Sequence, residues 1–418
     1  MAILASPIVD RHGATSTSQA TERRRSFVVE WLSHPQSSFF LVLVPALLLL
    51  ALGMMMVLSA SSVYAYTQWG NAYYFFNRQL IFLIGGGVLA AVIARFKPQH
   101  LRVMGWVLVL AAIALQLLTF TSMGFSKNGN TNWVDVGIGW FRIQPAEIAK
   151  LAIVLWGADI LSRKHRLLGD PRHLLIPFVP VSLVMIALVV LQEDLGTGLI
   201  LGALVMVTLW YVGASWRVLA SLVSVVAASV FALVLASPSR MNRIFGFLNQ
   251  DADTLGVNHQ PIRAIFALAS GGWWGLGLGA SRQKWGGLVE SHTDYVLAVI
   301  GEELGLVGTL AVLGLFLVLA FAGFRIAMRS DDRFSRYVAA GVTSWFMIQA
   351  LLNIMVVLRM VPVLGVPLPL VSYGGSALLA NLMGLGALLA CARNEPAARA
   401  YARRHRRRKR TSVVTTDN

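Results

Sequence analysis

Long apolar runs alternate with shorter polar connections along most of this chain. A membrane-spanning helix needs roughly 20 predominantly apolar residues. Ten runs come close to that length, near residues 38–58, 78–95, 101–120, 145–162, 174–192, 195–213, 217–236, 294–323, 337–357 and 371–392. The pattern predicts an all-α, polytopic membrane protein with about ten transmembrane helices.

The stretches between these runs divide the chain into three predicted parts. They are a polar N-terminal tail at 1–37, a ten-helix membrane domain at 38–392 and a basic C-terminal tail at 393–418. Ten spans place both termini on one side, and the connections and tails on that side carry most of the 35 Lys and Arg residues. Since positive charge concentrates on the cytoplasmic side, we expect cytoplasmic termini and a large extracytoplasmic loop, 237–293, between helices 7 and 8.

Composition supports the bilayer as the main solvent of this chain. Hydrophobic residues make up 56% and charged residues 13%, against about 25% charged residues in soluble domains. The net charge of +16 follows the predicted topology, so we expect no nucleic-acid partner. The basic stretch Arg403–Arg410 either contacts membrane lipid or a partner protein, or is a solvated tail. The single cysteine, Cys391, excludes an intrachain disulfide.

The 237–293 loop contains a shorter apolar run that begins at Pro261 and stops at Gly271. Proline near a start and glycine at an end are typical of a helix. About ten residues cannot span a bilayer, so the pattern predicts a helix in the membrane interface. Three tryptophans would then lie at headgroup depth, namely Trp273, Trp274 and Trp285.

Asp294 stands where the loop meets the eighth apolar run. The pattern predicts Thr293 or Asp294 at the N-cap or in the first turn of that helix, where a carboxylate is favoured. On an ideal helix Asp294 would head a stripe of small residues, Ala298, Gly301, Gly305 and Gly308. Such a stripe either admits a closely packed helix or lines a groove for a lipid substrate. Asp294 is therefore either a helix cap or a reactive carboxylate.

Other buried charges are candidates for function or for structure. Glu302 would lie ~12 Å below Asp294 on the same helix, where an acidic residue is costly. Glu147 and Lys150, three residues apart, can pair on one helix face and either neutralise each other or position the catalytic carboxylate. Asp159 and Arg163, at i,i+4, are interpreted as purely structural.

The sequence has no pattern typical of a zinc site or a serine hydrolase. Only His259 and His292 fall on the predicted outer side, and no Cys/His spacing fits zinc. No nucleophile elbow is present. Glu193 and Asp194 could contribute oxygens to a hard cation.

Several motifs, in one order from about residue 70 to 390, resemble the SEDS (shape, elongation, division, sporulation) family. The motifs are Asn128-Gly129 with Trp133, Gln144-Pro145-x-Glu147, Asp194-Leu195-Gly196-Thr197, Ser281-Arg282-Gln283-Lys284-Trp285, His292-Thr293-Asp294-Tyr295, Ile300-Gly301-Glu302-Glu303-Leu304-Gly305 and Pro367-Leu368-Pro369-x-x-Ser372-Tyr373-Gly374-Gly375-Ser376. The Ser-Arg-Gln-Lys-Trp stretch is more similar to the division members than to the elongation members.

The resemblance implies a ten-helix peptidoglycan glycosyltransferase in the bacterial cytoplasmic membrane, placed at the division septum. It would polymerise lipid II, the undecaprenyl-pyrophosphate-linked disaccharide-peptide, on the outer face. Its expected partners are a class B penicillin-binding protein, which is a transpeptidase, and other division proteins.

The resemblance also implies roles for particular residues. The essential acidic residue of the family falls on Asp294, its loop tryptophan on Trp133, and its ion pair on Glu147 and Lys150. His292 and Ser372 join the candidate substrate-binding residues. The chain departs from the family pattern in three places, with Thr131-Asn132 in place of an arginine before Trp133, Gln192-Glu193-Asp194 for Gln-Pro-Asp, and Leu288-Val289-Glu290 for Leu-Pro-Glu.

The implied reaction needs a base for a sugar hydroxyl and positive charge for a pyrophosphate leaving group. We assign Asp294 as the base, and Mg²⁺ or Mn²⁺ could assist the leaving group. Lys284 and Arg243 rank first among the candidate cations because they share the loop with Asp294; the full set is Arg78, Arg240, Arg243, Arg263, Lys284 and Arg359. Two alternatives remain: a lipid II flippase and a non-catalytic scaffold that recruits the transpeptidase.

Overall fold

The computed structural model describes residues 30, 32–127, 130–137, 141–248, 258–285, 287–288 and 290–404. Most of both predicted tails lies outside these residues. Helices dominate the described part. In chain order they are α1 Ser37–Trp69, α2 Tyr74–Ile93, α3 Pro98–Leu118, α4 Pro145–Arg163, α5 Pro171–Leu175, α6 Phe178–Leu191, α7 Leu195–Val212, α8 Trp216–Leu235, α9 Pro238–Leu248, α10 His259–Gly271, α11 Val296–Arg329, α12 Arg333–Val357 and α13 Gly375–Arg393, with a 3₁₀ turn at Gln283–Trp285.

Each predicted span has a helix, which confirms an all-α, multi-pass membrane fold. Among the described residues, eight helices are long and apolar enough to cross a membrane, and these are α1, α2, α3, α7, α8, α11, α12 and α13. The other two are α4, which carries Glu147, Lys150 and Asp159, and α6, which has 14 residues. In α6 the helix is shorter than the predicted 174–192 run because the chain forms the separate short helix α5 before it.

Helix α4 lies at the centre of the bundle. It packs against α3, α7, α12 and α13, and nearly all of its residues from Pro145 to Ser162 are buried. Because protein rather than lipid covers most of its surface, α4 can hold charged side chains that a lipid-facing helix could not. This packing explains why α4 is less apolar than its neighbours.

The connection between α3 and α4 forms a small antiparallel sheet. Its strands are β1 Gly124–Lys127, β2 Asn130–Asp135 and β3 Arg142–Ile143, in the order β1-β2-β3. Trp133 on β2 faces Phe125 on β1 across the pair. The last strand, β3, ends directly before α4, and Trp133 lies on the middle strand next to it.

The segment between α8 and α11 contains two helices, α9 and α10. Helix α10 confirms the predicted helix, although it begins two residues before Pro261 and ends at Gly271 as expected. Residues 249–257 lie outside the described part. The interface position and the extracytoplasmic side of this segment remain predictions.

Helix α11 is interrupted at Gly305, whose φ of 69° and ψ of −166° are not helical. The turn that follows α10 packs against α11 at this interruption. Backbone amides of Leu276 and Gly277 donate to the carbonyls of Glu302 and Glu303 (2.9 and 3.0 Å). In return, the amides of Leu306 and Val307 donate to the carbonyls of Gly272 and Trp273 (2.9 and 3.2 Å). The backbone groups that lose their helical partners at Gly305 thus form hydrogen bonds with residues 272–277. Such partners are required where no water is available.

The first part of α11 runs across α1. Ser291 Oγ donates to the Ala60 carbonyl (3.2 Å), and Ser59 Oγ donates to the Glu303 carboxylate (2.6 Å). These contacts fall on neighbouring residues of α1, although the stretch from Val296 to Glu303 is ~10 Å long. Ser291 and Glu303 therefore reach α1 at nearly the same level, on opposite sides of the helical stretch Val296–Glu303.

Candidate active site

Asp294 lies in a turn just before α11. The helix begins at Val296, and the amides of Thr293 and Tyr295 both donate to the Glu290 carbonyl (3.3 and 3.2 Å). The predicted cap role of Thr293 or Asp294 is therefore wrong, because the turn at 290–295 delays the helix. Asp294 is half-buried, so a substrate can reach its carboxylate.

The predicted stripe below Asp294 is also wrong, because the chain is helical neither at Asp294 nor at Gly305. The small residues serve close packing instead. A Cβ on Gly301 would meet the side chain of Leu268 at 2.3 Å, and a Cβ on Gly271 would meet the Gly301 carbonyl oxygen at 1.9 Å. The ~12 Å separation of Glu302 from Asp294 stays a prediction.

Asn353 on α12 fixes the backbone at Asp294. Its Nδ2 donates to the carbonyls of Asp294 and Val366, each at 2.7 Å. A Cβ added to Gly365 would lie 3.7 Å from Asp294 Oδ2. One amide thus holds the Asp294 turn against the 365–366 loop, with the carboxylate beside that loop.

Positive charge lies close to Asp294. Burial raises the pKa of the Tyr295 phenol; the charge of Asp294 raises it further, and that of Arg359 lowers it. Arg359 also lines a small pocket together with Arg243, Asn258 and Pro261. The structure therefore brings Arg243 and Arg359 together in one small pocket, and Arg359 acts on Tyr295, the residue next to Asp294.

Glu147 and Lys150 form the expected pair and are both buried. Lys150 Nζ donates to Glu147 Oε1 (2.7 Å) and to Gln349 Oε1 (2.9 Å). Gln349 Nε2 in turn donates to the Pro367 carbonyl (2.9 Å). Gln349 and Asn353 lie one turn apart on α12, so the ion pair and Asp294 are braced against the same helix and the same 365–367 loop. Their place in substrate binding remains a prediction.

Lys284, ranked first among the cations, is buried with only 6% of its side chain exposed. Its Nζ donates to the Gly279 carbonyl and lies 3.8 Å from Glu303 Oε1. This position does not favour contact with a pyrophosphate, because the ammonium is already neutralised inside the fold. Proximity in sequence to Asp294 did not reveal this burial.

The neighbouring acidic pair holds the same segment. Ser281 Oγ and the Arg282 amide donate to the Glu302 carboxylate (2.5 and 2.9 Å), while the Ser281 amide donates to Glu303 Oε1 (3.3 Å). Both carboxylates are almost fully buried. Glu302 and Glu303 thus hold the 281–284 segment in place through hydrogen bonds and the ion pair with Lys284.

The other proposed cations have different surroundings. Arg240 lies 3.8 Å from Glu193 and donates to the Leu233 carbonyl (3.3 Å), which ties α9 to its neighbours. Arg78 stacks over the Tyr74 ring at 4.1 Å. Neither residue lines the pocket of Arg243 and Arg359.

His292 and Ser372 support the turn that carries Asp294. The buried His292 ring packs against Phe75 and Tyr373 (centroids 4.6 and 5.6 Å), and its carbonyl accepts from the Tyr373 amide (2.9 Å). Ser372 Oγ accepts from the Leu368 amide (2.8 Å). Direct substrate contact by either residue remains a prediction.

Trp133 is half-buried on β2, and its neighbour Asn132 has a defined role. Asn132 Nδ2 donates to Asp194 Oδ2 (2.7 Å), which also accepts from Thr197 Oγ1 and Gln144 Nε2 (2.9 and 3.3 Å). Asn132 therefore anchors the sheet to α7 and α4. It belongs to the Thr131-Asn132 stretch, where the family pattern has an arginine before Trp133.

Metal binding finds little support in this geometry. The oxygens of Asp194 already accept hydrogen bonds, including one from the Thr197 amide (3.0 Å). Within the described ranges, no group of three or more His, Cys, Asp or Glu could hold a metal ion. Assistance of the leaving group by Mg²⁺ or Mn²⁺ stays a prediction, since one or two carboxylates and the substrate phosphates can suffice for Mg²⁺. The mechanism below uses protein groups alone.

Asn353, Gln349 and the interruption at Gly305 were not identified from the sequence. Two amides one turn apart in an otherwise apolar span are a usable signal, because polar groups inside a membrane need partners. The interruption had no comparable signal, since glycines 301, 305 and 308 also fit a continuous packed helix.

A family profile described as "Cell cycle protein", which covers the FtsW, RodA and SpoVE proteins, matches residues 39–396. The chain therefore belongs to this family of multi-pass membrane proteins. Among its relatives, a Mycobacterium tuberculosis protein named probable peptidoglycan glycosyltransferase FtsW is 38% identical over 392 residues, which cover 93% of this chain and 74% of the relative. Stage V sporulation protein E of Bacillus subtilis is 36% identical over 355 residues, or 84% and 95% of the two chains.

Solved structures give the same assignment. Thermus thermophilus rod shape determining protein RodA superposes with a TM-score of 0.62 at 27% identity, over 88% of this chain and 99% of RodA. A chain of a peptidoglycan synthase complex that coordinates polymerization and crosslinking superposes with a TM-score of 0.69 at 27% identity, over 87% and 99% of the two chains.

Proposed function

We propose that this protein is a peptidoglycan glycosyltransferase that polymerises lipid II at the outer face of the bacterial cytoplasmic membrane. The observation that carries the proposal is the half-buried Asp294, whose neighbour Tyr295 also experiences the charge of Arg359. Arg359 and Arg243 line one small pocket. Relatives named peptidoglycan glycosyltransferase, which align over most of the chain, support the same activity.

The proposed reaction joins a sugar hydroxyl to the anomeric carbon of a second lipid-linked sugar. The hydroxyl oxygen forms the new bond to that carbon, and the bond from the carbon to the lipid pyrophosphate breaks. Asp294 accepts the hydroxyl proton as the new bond forms. Arg359 and Arg243 stabilise the charge of the departing pyrophosphate, so no protein acid is needed.

The neighbouring residues keep Asp294 in position for this step. Asn353 holds the main chain at Asp294, and the buried Glu147–Lys150 pair holds Gln349 one turn away. A base works only when it is held within hydrogen-bonding reach of the proton that it accepts. These residues therefore contribute to orientation rather than to proton transfer.

We further propose that the protein works with a class B penicillin-binding protein, and with other division proteins at the septum. The superposition on a chain of a synthase complex that polymerises and crosslinks supports a transpeptidase partner. Relatives named FtsW support the division role. The distribution of Lys and Arg along the chain supports cytoplasmic termini.

The test is polymer formation from labelled lipid II by purified protein, alone and with its cognate transpeptidase. Asp294→Asn should reduce polymerisation by about 10²–10⁴-fold, the usual contribution of a general base, while the protein still folds and binds its partner. Arg243→Ala should weaken lipid II binding, and Lys284→Ala should lower stability more than binding. An active Asp294→Asn protein would refute the assignment of the base.

A liposome assay separates this activity from the two alternatives. Lipid II that crosses the bilayer without forming polymer would identify a flippase. A scaffold would form no polymer, move no lipid and keep its partner when Asp294 is changed. The buried Glu147 and Lys150 neutralise each other, and this favours the polymerase over a transport path through them.

A further inference from the structure

An aromatic surface lies at the turn between α1 and α2, next to the candidate active site. Trp69 and Tyr74 stack face to face, with centroids 4.5 Å apart and planes 6° apart. Trp69 is 46% exposed, and an open surface pocket beside it is lined by Asn71, Tyr74, Asn77, Arg78 and Ile81. We call Trp69, Tyr74, Asn77 and Arg78 the α1–α2 platform.

The platform lies beyond the apolar part of α1. Trp69 is ten residues past Ser59, the level at which α11 crosses, and so about 15 Å further along the helix. The residues between them include Ser61, Ser62, Thr67 and Gln68. Because the candidate span α2 begins at Tyr74, the platform lies at the membrane boundary, where aromatic residues are common, on the side where Asp294 lies.

A continuous set of contacts joins the platform to Asp294. The Phe75 ring lies edge-on to Trp69 and to Tyr373 (centroids 5.3 and 5.0 Å). The Tyr373 amide donates to the His292 carbonyl (2.9 Å), and His292 precedes Asp294 by two residues. These contacts place the platform and the turn that carries Asp294 on the same side of the bundle.

The chemistry of the platform fits a chain of N-acetylated sugars. The C–H faces of β-linked pyranoses are apolar and pack on flat aromatic rings. On the platform only Trp69 offers such a surface, because Tyr74 lies between Trp69 and Arg78. Exposed amides such as Asn77 can pair with N-acetyl groups. The Arg78 guanidinium can pair with carboxylates of the attached peptides. A bare lipid tail would use neither the amide nor the charge.

We propose that the α1–α2 platform is a glycan-binding subsite that holds the growing strand beside Asp294 between additions. This inference rests on the proposed glycosyltransferase function and adds a ligand site to it. Because a strand that is held loosely leaves before the next addition, the platform sets the length of the product.

The first measurement is the length of strands made from labelled lipid II. Trp69→Ala and Asn77→Ala should shorten the mean strand more than they lower the initial rate. Trp69→Phe, which retains a stacking ring, should restore most of the length. Trp216→Ala, which removes a 79% exposed tryptophan at the start of α8, should leave both quantities unchanged. Unaltered strand length in both platform variants would overturn the inference.

The second measurement is anisotropy of a labelled β-1,4-linked N-acetylglucosamine tetramer, which needs no polymerisation. Trp69→Ala should weaken binding about two- to tenfold, the factor that one aromatic stacking contact provides. Trp216→Ala should bind as the wild type does. Equal affinity of wild type and Trp69→Ala would overturn the inference.

The two assays together distinguish failure of the subsite from failure of the proposed function. Trp69-dependent tetramer binding by a protein that makes no polymer would retain the glycan site and refute the glycosyltransferase. Polymer formation with no effect of Trp69 on either length or binding would retain the enzyme and refute the subsite.

Discussion

Buried carboxylates occur at both ends of the helix bundle, but they are neutralised differently. At one end, Asp159 accepts from Arg102, Arg163 and Trp106 (2.9, 2.8 and 3.1 Å). The side chains of Arg102 and Arg163 are 27% and 62% exposed, so neither guanidinium group is enclosed within the protein. We call this cluster the Asp159 end.

At the Asp294 end the partners are buried as well. Glu147 and Lys150 keep at most 2% of their side chains exposed, and Glu303 and Lys284 at most 6%. Such pairs have lost their hydration on both sides, so removing one partner leaves a buried charge without compensation. The comparison indicates that the charges at the Asp159 end hold helices together. The charges at the Asp294 end fix the position of the Asp294 carboxylate. Removing one of these buried charges is expected to cost more of the free energy of unfolding.

The strongest test of this difference is Glu147→Gln. Lys150 would keep its charge without the carboxylate, and we expect a loss of about 3–5 kcal/mol in the free energy of unfolding. The double variant Glu147→Gln/Lys150→Met removes both charges and should recover most of the thermal stability. If the pair positions Asp294, the double variant stays slow in the polymerisation assay; full activity would show that the pair only supports the fold.

A smaller effect is expected from Glu303→Gln. The amide keeps the shape of the side chain but loses the charge opposite Lys284 and the strong acceptor of Ser59. We expect a loss of about 1.5–3 kcal/mol, with faster hydrogen exchange at 281–285 and reduced polymerisation. Glu302→Gln is the matched control: it should loosen the same segment while the Lys284 ion pair survives. Unchanged exchange at 281–285 in Glu303→Gln would contradict this role.

The smallest effect on activity is expected from Asp159→Asn at the opposite end. The freed Arg102 and Arg163 can turn outward because they are partly exposed, so the loss should be about 1–2 kcal/mol. The polymerisation rate per folded molecule should equal that of the wild type. A variant that is stable yet inactive would show that the two ends do not differ in the way proposed.

Local rules predicted much of the fold. Proline and glycine marked α10, and i,i+3 and i,i+4 spacing identified the pairs Glu147–Lys150 and Asp159–Arg163. These features depend on residues within one turn or one helix of each other, so a single sequence contains the necessary information. The resemblance to a family then directed attention to Asp294.

Tertiary contacts decided the rest. The interruption of α11 depends on backbone groups of residues 272–277, which lie about 30 residues earlier in the chain. Likewise, Lys284 is close to Asp294 in sequence but is buried against Glu303. Arg243 and Arg359 line one pocket although they lie more than 100 residues apart in the chain. The sequence could rank the candidate cations only by whether they share a loop with Asp294. It therefore ranked the buried Lys284 first.

The interruption at Gly305 has a consequence for the order in which the protein is made. The backbone groups that satisfy Glu302, Glu303, Leu306 and Val307 belong to residues 272–277. A ribosome synthesises these earlier residues first, so they already exist when the interrupted helix enters the membrane. The polar groups at Gly305 therefore need not await a later segment of the chain. The turn that carries Asp294 does, because Asn353 and Tyr373, which hold it, are made afterwards.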